Sequence, residues 1–422
     1  QRLYKDPPKP LVLPASVTVG AALEHGVLRL LAVGSKRFLS NKVDRSVTGQ
    51  IAQQQCVGPL QTPLADFACI AQSPLSTTGG ATAIGEQPLK GLAGDPASCC
   101  SMARLAVAEA LTNLVWIQIL GLNSIKASGN WMWAAKLPGE GPKMCDIAEA
   151  VSHMMVELGI AIDGGKDSLS MAARVPLEDG RAETAKSPGQ FVLTAYAPVP
   201  DVRVKATPDL KTHGEGVLLF VDLGRASPVL GGSALSQVFG QIGAGPSPDV
   251  DAAALKAAFV ATQRLLSACL ITAGHDRSDG GLLVAVLEMA FAGRCGFSMK
   301  LDSGIGSTRD PTVQGPTLEM LFGEAPGLIY EIRKEDVSAV MRVFEAEGVV
   351  AMQIGETRAD LRAIVHVGGD CVLDGDVASL HCIWEATSFQ LERHQCAIPC
   401  VEQEEAGFKS RKAPPYKLTY KP

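Results

Sequence analysis

Ser101-Met-Ala-Arg-Leu-Ala-Val-Ala-Glu-Ala-Leu-Thr-Asn-Leu-Val-Trp116 is the stretch from which the rest of the chain can be laid out. It contains no Pro or Gly, and Ala, Leu, Met, Arg and Glu dominate its first half, so it reads as a helix. Its small and aliphatic positions leave little polar surface, which predicts burial on most sides. Two polar groups break that pattern, Glu109 and Asn113. At i,i+4 spacing they share one face, about 6 Å apart along the axis. A carboxylate and an amide side by side offer two oxygens to Mg²⁺, a hard cation commonly shared with phosphates. The plainer reading makes Glu109 a surface charge and Asn113 a cap.

Working outward, residues 66–71 read as a strand with an acidic first residue, and residues 81–84 as a strand of small residues. A helical pattern covers residues 17–33. After the central helix come a second helix over residues 144–158 and a strand at 160–163. Residues 172–190 are charged and loop-like, followed by a strand at 191–197. Pro198, Pro200 and Pro208 mark a domain boundary. Beyond it follow a strand at 217–223, a long Ala/Leu helix at 251–272 and a helix at 282–292. A β-α-β unit runs over 328–356, then a strand at 361–367 and a terminal helix at 384–395. These readings give an α/β (α+β) chain with a linker at 1–16, an N-terminal α/β domain at 17–200 and a C-terminal α/β domain at 201–385. Residues 386–422 form a helix and a charged, Pro-containing tether.

Composition bounds the function. The chain has 422 residues and a net charge of −6, enough length for two or three domains and no electrostatic case for nucleic acid. An apolar run at 114–122 contains Gln118 and falls short of a bilayer span, and no signal peptide opens the chain. The 11 Cys form no Cys-x-x-Cys pair and no repeated spacing with His, so neither zinc nor a disulfide framework is indicated. A cytoplasmic location is the expectation. The first residue is Gln1, which reads as a processed chain or a piece of a longer one.

Two further stretches carry chemistry. Asp163-Gly-Gly-Lys-Asp-Ser168 follows an apolar strand, and it reads as a loop whose glycines let the backbone approach an anion, with Lys166 and Ser168 adding charge and a hydroxyl. It lacks the spacing of a P-loop, and a plain turn is the competing reading. His275-Asp-Arg-Ser-Asp-Gly-Gly281 packs two carboxylates, a hydroxyl and a His at a helix start. Ser278 or Asp279 would serve as N-cap, leaving Asp276 spare to join Glu109, Asn113 and Asp66 around a metal. His275 is either a general base or hydrogen-bonded structure. The residues alone lead to an ATP-binding or phosphoryl-transfer α/β protein.

At these same positions the sequence resembles the phosphoribosylformylglycinamidine synthase family. The matching strings are residues 41–49, 53–66, 106–113, 128–140, 164–171 and 275–281, in the family's order. The resemblance implies a two-domain fold shared with aminoimidazole ribonucleotide synthetase, and it covers the second half of the synthetase region only. The first half and the glutaminase domain of the same polypeptide are the implied partners. The implied reaction is the ATP- and glutamine-dependent conversion of formylglycinamide ribonucleotide to its amidine through an iminophosphate, with ammonia supplied from glutamine.

Carried over by position, Asp66, Glu109, Asn113 and Asp276 match the family's Mg²⁺ ligands. Lys36, the backbone at Ala65, and Ser278 match nucleotide contacts of an auxiliary ADP site. Gly164, Gly165, Lys166 and Ser168 match the catalytic and substrate-binding stretch. Small-type members carry Asn at the position of Lys166 and an acidic residue at that of Ala127, so this chain departs from them there. The cofactors implied are Mg²⁺ and ATP or ADP. Two alternatives accompany this reading: a structural half that binds ADP·Mg²⁺ without activity alone, and a selenophosphate synthetase-like ATP enzyme. No membrane or nucleic-acid partner is expected, and pairing of two copies through a surface normally covered by the first half is left open.

Overall fold

The computed structural model describes residues 3, 6, 8–41, 49–225, 228–302 and 316–411. The expected motif at 41–49 therefore lies almost wholly outside the described residues, as does the end of the tether. The helical pattern at 17–33 yields only α1 (Val19–His25) and a 3₁₀ turn, Val27–Arg29. Gly26 separates them at a point where any side chain would strike Val238. After the short α2 (Arg37–Ser40) comes β1 (Ile51–Gln53), then a ribbon of β2 (Cys56–Val57) and β3 (Thr62–Pro63), then β4 (Ala68–Ala71) and β5 (Gly79–Glu86).

The central helix α3 runs Pro96–Leu114, starting earlier than the composition suggested. Pro96 occupies the first turn, where its missing N–H costs nothing, and Asp95 caps the helix by accepting from the amides of Ala97 and Ser98. Next follow β6 (Lys126–Met132), α4 (Glu140–Leu158), β7 (Ala161–Ser168), β8 (Ala172–Pro176), β9 (Ala182–Lys186) and β10 (Gln190–Val199). The first sheet has the order β1-β4-β5-β10-β6-β7, with β6 and β7 parallel. Its β5 alternates buried and exposed residues: one face packs on α3, the other is open.

Two expectations fail here. The stretch 163–168 is not a loop but part of edge strand β7, and neither Gly164 nor Gly165 has a positive φ. Gly165 pairs with Gly129 of β6, whose carbonyl any Cβ at 165 would strike. A Gly-Gly pair serving close strand contact looks the same in sequence as one serving a turn. The charged segment after it contains the β8–β9 hairpin, whose residues are all exposed, so it shows no apolar alternation to read.

The second unit comprises β11 (Gly216–Asp222), α5 (Ala234–Val238), α6 (Ala252–Ser267), β12 (Ala273–Asp276), α7 (Gly281–Gly293) and β13 (Gly296–Leu301). It continues with α8 (Pro316–Phe322), β14 (Gly327–Arg333), α9 (Val337–Ala346), β15 (Ala351–Arg358), β16 (Arg362–Val367) and β17 (Asp370–Asp376). The sheet order is β12-β14-β11-β15-β13-β16-β17, so the expected β-α-β unit is a split one, with β11 between its strands. Two helices close the described chain, α10 (Val377–Gln395) and α11 (Ile398–Ser410). The second occupies much of the expected tether, because its Glu, Gln and Ala residues favour helix.

One core is continuous between the sheets. It joins α3, α4, α6 and the first sheet to Leu219, Tyr330 and Phe344 on one face of the second. The other core lies on the opposite face, around α7 and Trp384 of α10. No helix among the described residues is long and apolar enough to cross a membrane.

Candidate functional site

Gly85 brings α3 unusually near β5, since a Cβ there would collide with the Ala106 carbonyl and the Ala110 amide nitrogen. At that approach Glu109 Oε2 accepts from the Glu86 amide (2.6 Å) and Asn113 Nδ2 donates to the Ile84 carbonyl (3.0 Å). Neither residue is a free surface charge or a cap. Both look into a cleft of about 270 Å³ where the two units meet.

All seven residues assigned to metal and nucleotide line this cleft: Lys36, Ala65, Asp66, Glu109, Asn113, Asp276 and Ser278. Lys36 stands at the start of α2 and donates to the carbonyls of Ala32 (2.9 Å) and Gly34 (2.6 Å). The Ala65 amide is taken by the Gln55 carbonyl, so its own carbonyl is the backbone group left to a ligand. Asp276 ends β12 and accepts from Thr112 Oγ1 (3.3 Å). Gly164, Gly165, Lys166 and Ser168 do not line the cleft: they lie on the open edge strand, where Lys166 Nζ donates to Ser168 Oγ (2.7 Å).

The expected cap is also different. The N-terminus of α7 is Gly280 at φ 94°, with no side-chain cap of its own. Glu324 performs that role, accepting from the amides of Gly280 (2.7 Å) and Ala234 (2.7 Å). Ser278 and Asp279 are thereby released to the cleft wall.

Two wall residues escaped the sequence reading, Glu288 and Trp384, and of the two readings of His275 the structure favours hydrogen-bonded structure. His275 Nδ1 bonds Asp66 Oδ1 (2.8 Å) and its Nε2 meets Glu288 Oε2 (3.4 Å). Trp384 Nε1 donates to Glu288 Oε1 (3.2 Å) and to the Val33 carbonyl (2.9 Å). With both ring nitrogens engaged by carboxylates, His275 is a holder of Asp66. The one legible signal was Glu288 itself, a lone carboxylate inside α7, a helix buried on every side.

The electrostatics are those of an under-compensated acidic pocket. Burial raises the carboxyl pKa of Asp66, partly offset by His275. Burial, reinforced by Asp276 and Asp279, pushes Glu109 well up. Asp276 rises to about 7, through burial and then through Asp66. For His275 burial acts downward, but Asp66 and the other carboxylates outweigh it and hold the imidazole well above its usual range. Burial lowers Lys36. Ligand atoms of Asp66, His275 and Asp276 all lie within 4.8 Å of one another. The Asp66 Oδ2 atom is buried and has no hydrogen-bond partner among the described residues. An orphaned carboxylate oxygen beside a second carboxylate suits a hard divalent cation.

Residues 35–198 match the FGAR-AT PurM_N-like domain, and residues 215–368 match the AIR synthase related protein C-terminal domain. Human phosphoribosylformylglycinamidine synthase is 49% identical over 99% of this chain. The chain belongs to that synthase family. The Arabidopsis thaliana relative, a probable chloroplastic/mitochondrial phosphoribosylformylglycinamidine synthase, is 51% identical over 98% of the chain. The chain spans only 30% and 28% of the lengths of these two synthases. Among solved structures, Thermotoga maritima PurL complexed with FGAR superposes with a TM-score of 0.58 at 13% identity, covering 86% of this chain and 54% of that one. Its ATP complex gives 0.54 at 16% identity, covering 84% and 50%. These two share the fold of this chain. Identity of this order with synthases sets aside the selenophosphate synthetase-like reading.

Proposed function

We propose that the chain is the second half of the synthetase region of a phosphoribosylformylglycinamidine synthase and that its cleft holds ADP or ATP with Mg²⁺. The observation that carries this reading is the convergence of seven residues, from the start of α2, the β3–β4 connection, α3 and the β12–α7 turn, on one acidic cleft, with the buried Asp66 Oδ2, unpartnered among the described residues, at its wall. Asp66, Glu109, Asn113 and Asp276 would hold the cation, which when bound offsets the carboxylate repulsion and ties the nucleotide phosphates to the wall. Lys36, the Ala65 backbone and Ser278 would take the nucleotide. His275 keeps Asp66 Oδ1 occupied, so Oδ2 is the oxygen offered to the cleft.

In the whole enzyme the reaction would be transfer of the ATP γ-phosphoryl group to the amide oxygen of formylglycinamide ribonucleotide, followed by displacement of phosphate by ammonia released from glutamine. Lys166 and Ser168, with Gly164 and Gly165, would contribute to that substrate site along β7. Their separation from the cleft favours a division of labour: the cleft keeps a structural nucleotide, and β7 faces the reacting one.

The experiment is to denature the purified chain, identify released nucleotide by chromatography, and titrate ADP with Mg²⁺ by calorimetry alongside Asp66→Ala and Glu109→Ala. Stoichiometric ADP, or binding that both substitutions abolish, is the expected result. No nucleotide and no binding in the parent chain would overturn it.

A further inference from the structure

Lys90 is a side chain that should not be where it is. It follows β5, belongs to the first unit, and is only 1% exposed. A buried ammonium survives only where anions compensate it. Its Nζ is paired with Glu324 Oε2 and lies 3.4 Å from Asp279 Oδ1, both in the second unit. The other oxygen of Glu324 accepts from the Gly280 and Ala234 amides, so one carboxylate binds Lys90 and two helix starts at once. The main chain around Lys90 is equally fixed: its carbonyl accepts from Ser247 Oγ, and Gly232 lies so close that a Cβ there would meet the Lys90 Cα at 2.9 Å.

The held segment, residues 277–281, is the turn that presents Ser278 and Asp279 to the cleft. It is the wall facing Asp66 and Glu109, which come from the first unit. From these contacts we infer that Lys90 is a positioning residue, an ammonium reaching across from the first unit to set the 277–281 turn of the nucleotide cleft through Glu324 and Asp279. It does two things at that wall. It fixes the distance between the units where the ligand would sit. It also draws Asp279 toward itself, and without it Asp279 and Glu324 would add two unbalanced negative charges beside phosphates. The part of the inference that concerns nucleotide rests on the function proposed above; the part that concerns the turn does not.

The test compares the full chain with Lys90→Met and with Lys90→Met/Glu324→Gln. The double variant removes both members of the buried ion pair, and the carboxamide oxygen it introduces can still accept from the two helix-start amides. Amide hydrogen exchange is followed by mass spectrometry across 277–283, with α6 peptides as reference, and ADP·Mg²⁺ binding is measured by calorimetry at a temperature where circular dichroism shows each variant folded. Loss of the charged anchor should speed exchange in the turn by about tenfold or more, with α6 unchanged, and should weaken ADP·Mg²⁺ by a similar factor. In the double variant the melting midpoint should recover while turn exchange stays fast, because Asp279 still lacks its anchor. Parent-like exchange across 277–283 in the double variant would overturn the inference and reduce Lys90 to charge balance. If the parent chain binds no ADP·Mg²⁺, the reading of the cleft falls, and the exchange result alone still decides for or against Lys90.

Discussion

Asp276 illustrates how a single side chain can be costly to the fold and useful to the site. Its carboxyl titrates near 7, raised first by burial and then by the Asp66 carboxylate. A raised carboxyl pKa means that the folded chain keeps a proton that the unfolded chain, near the usual 3.8, has already released. Stability without a cation therefore falls as pH rises from about 4 through about 7, and the loss is complete above that. Asp276→Asn should remove this loss: at pH 8 without divalent ions the variant should be more stable, by a few kcal/mol and on the order of 4 at most, with the gap closing by pH 4. Thermal melts at the two pH values check it, and Mg²⁺ should raise the parent's midpoint at pH 8 more than the variant's. A gap of the same size at both pH values would refute the assignment. The residues legible in the sequence were those with a near neighbour in it, such as Glu109 with Asn113 or Asp276 within its motif. Lys90 and Glu324 are 234 positions apart, and no spacing announces such a pair.

Among the elements, α3 and β5 decide whether the site exists. The helix was legible from composition, and the small-residue strand from its neighbours, but nothing in either shows that Gly85 is the contact point between them. That contact places the Glu109 carboxylate on the Glu86 amide and the Asn113 side chain on the Ile84 carbonyl. Gly85→Ala should force helix and strand apart, lowering stability by about 1–3 kcal/mol and taking ADP·Mg²⁺ binding with it. Gly80→Ala, on the same strand with nothing within 4 Å of its Cβ position, is the control and should leave both unchanged. Equal effects from the two substitutions would show that the helix contact at Gly85 is not what decides the outcome. Strand β7 shows the opposite lesson. Its glycines suggest a loop because sequence records that a backbone comes close to something but not to what; here Gly165 lies against Gly129 of the neighbouring strand.

At the scale of the whole molecule, two sheets with a continuous core between them form one cleft but leave another surface bare. The first sheet is packed on one face by α3; on the other, Ile84 is 55% and Ile70 43% exposed. Edge strand β7, which carries Lys166 and Ser168, is exposed along nearly its whole length, and neither side chain lines the acidic cleft. Transfer of a phosphoryl group needs a site that excludes water and orients both reactants. A strand as exposed as β7 does not by itself exclude water, whereas the acidic cleft is walled on several sides by this chain's own residues. The two behaviours should therefore separate: residues 1–422 alone should bind ADP·Mg²⁺ yet give no amidine when supplied with formylglycinamide ribonucleotide, ATP and ammonium chloride. Product chromatography, run beside the calorimetric titration on the same preparation, reads both at once. Turnover in a sample that binds nucleotide would show that β7 is closed by something within this chain, for which two copies meeting across the bare sheet face is the arrangement to look for, by light scattering under the assay conditions.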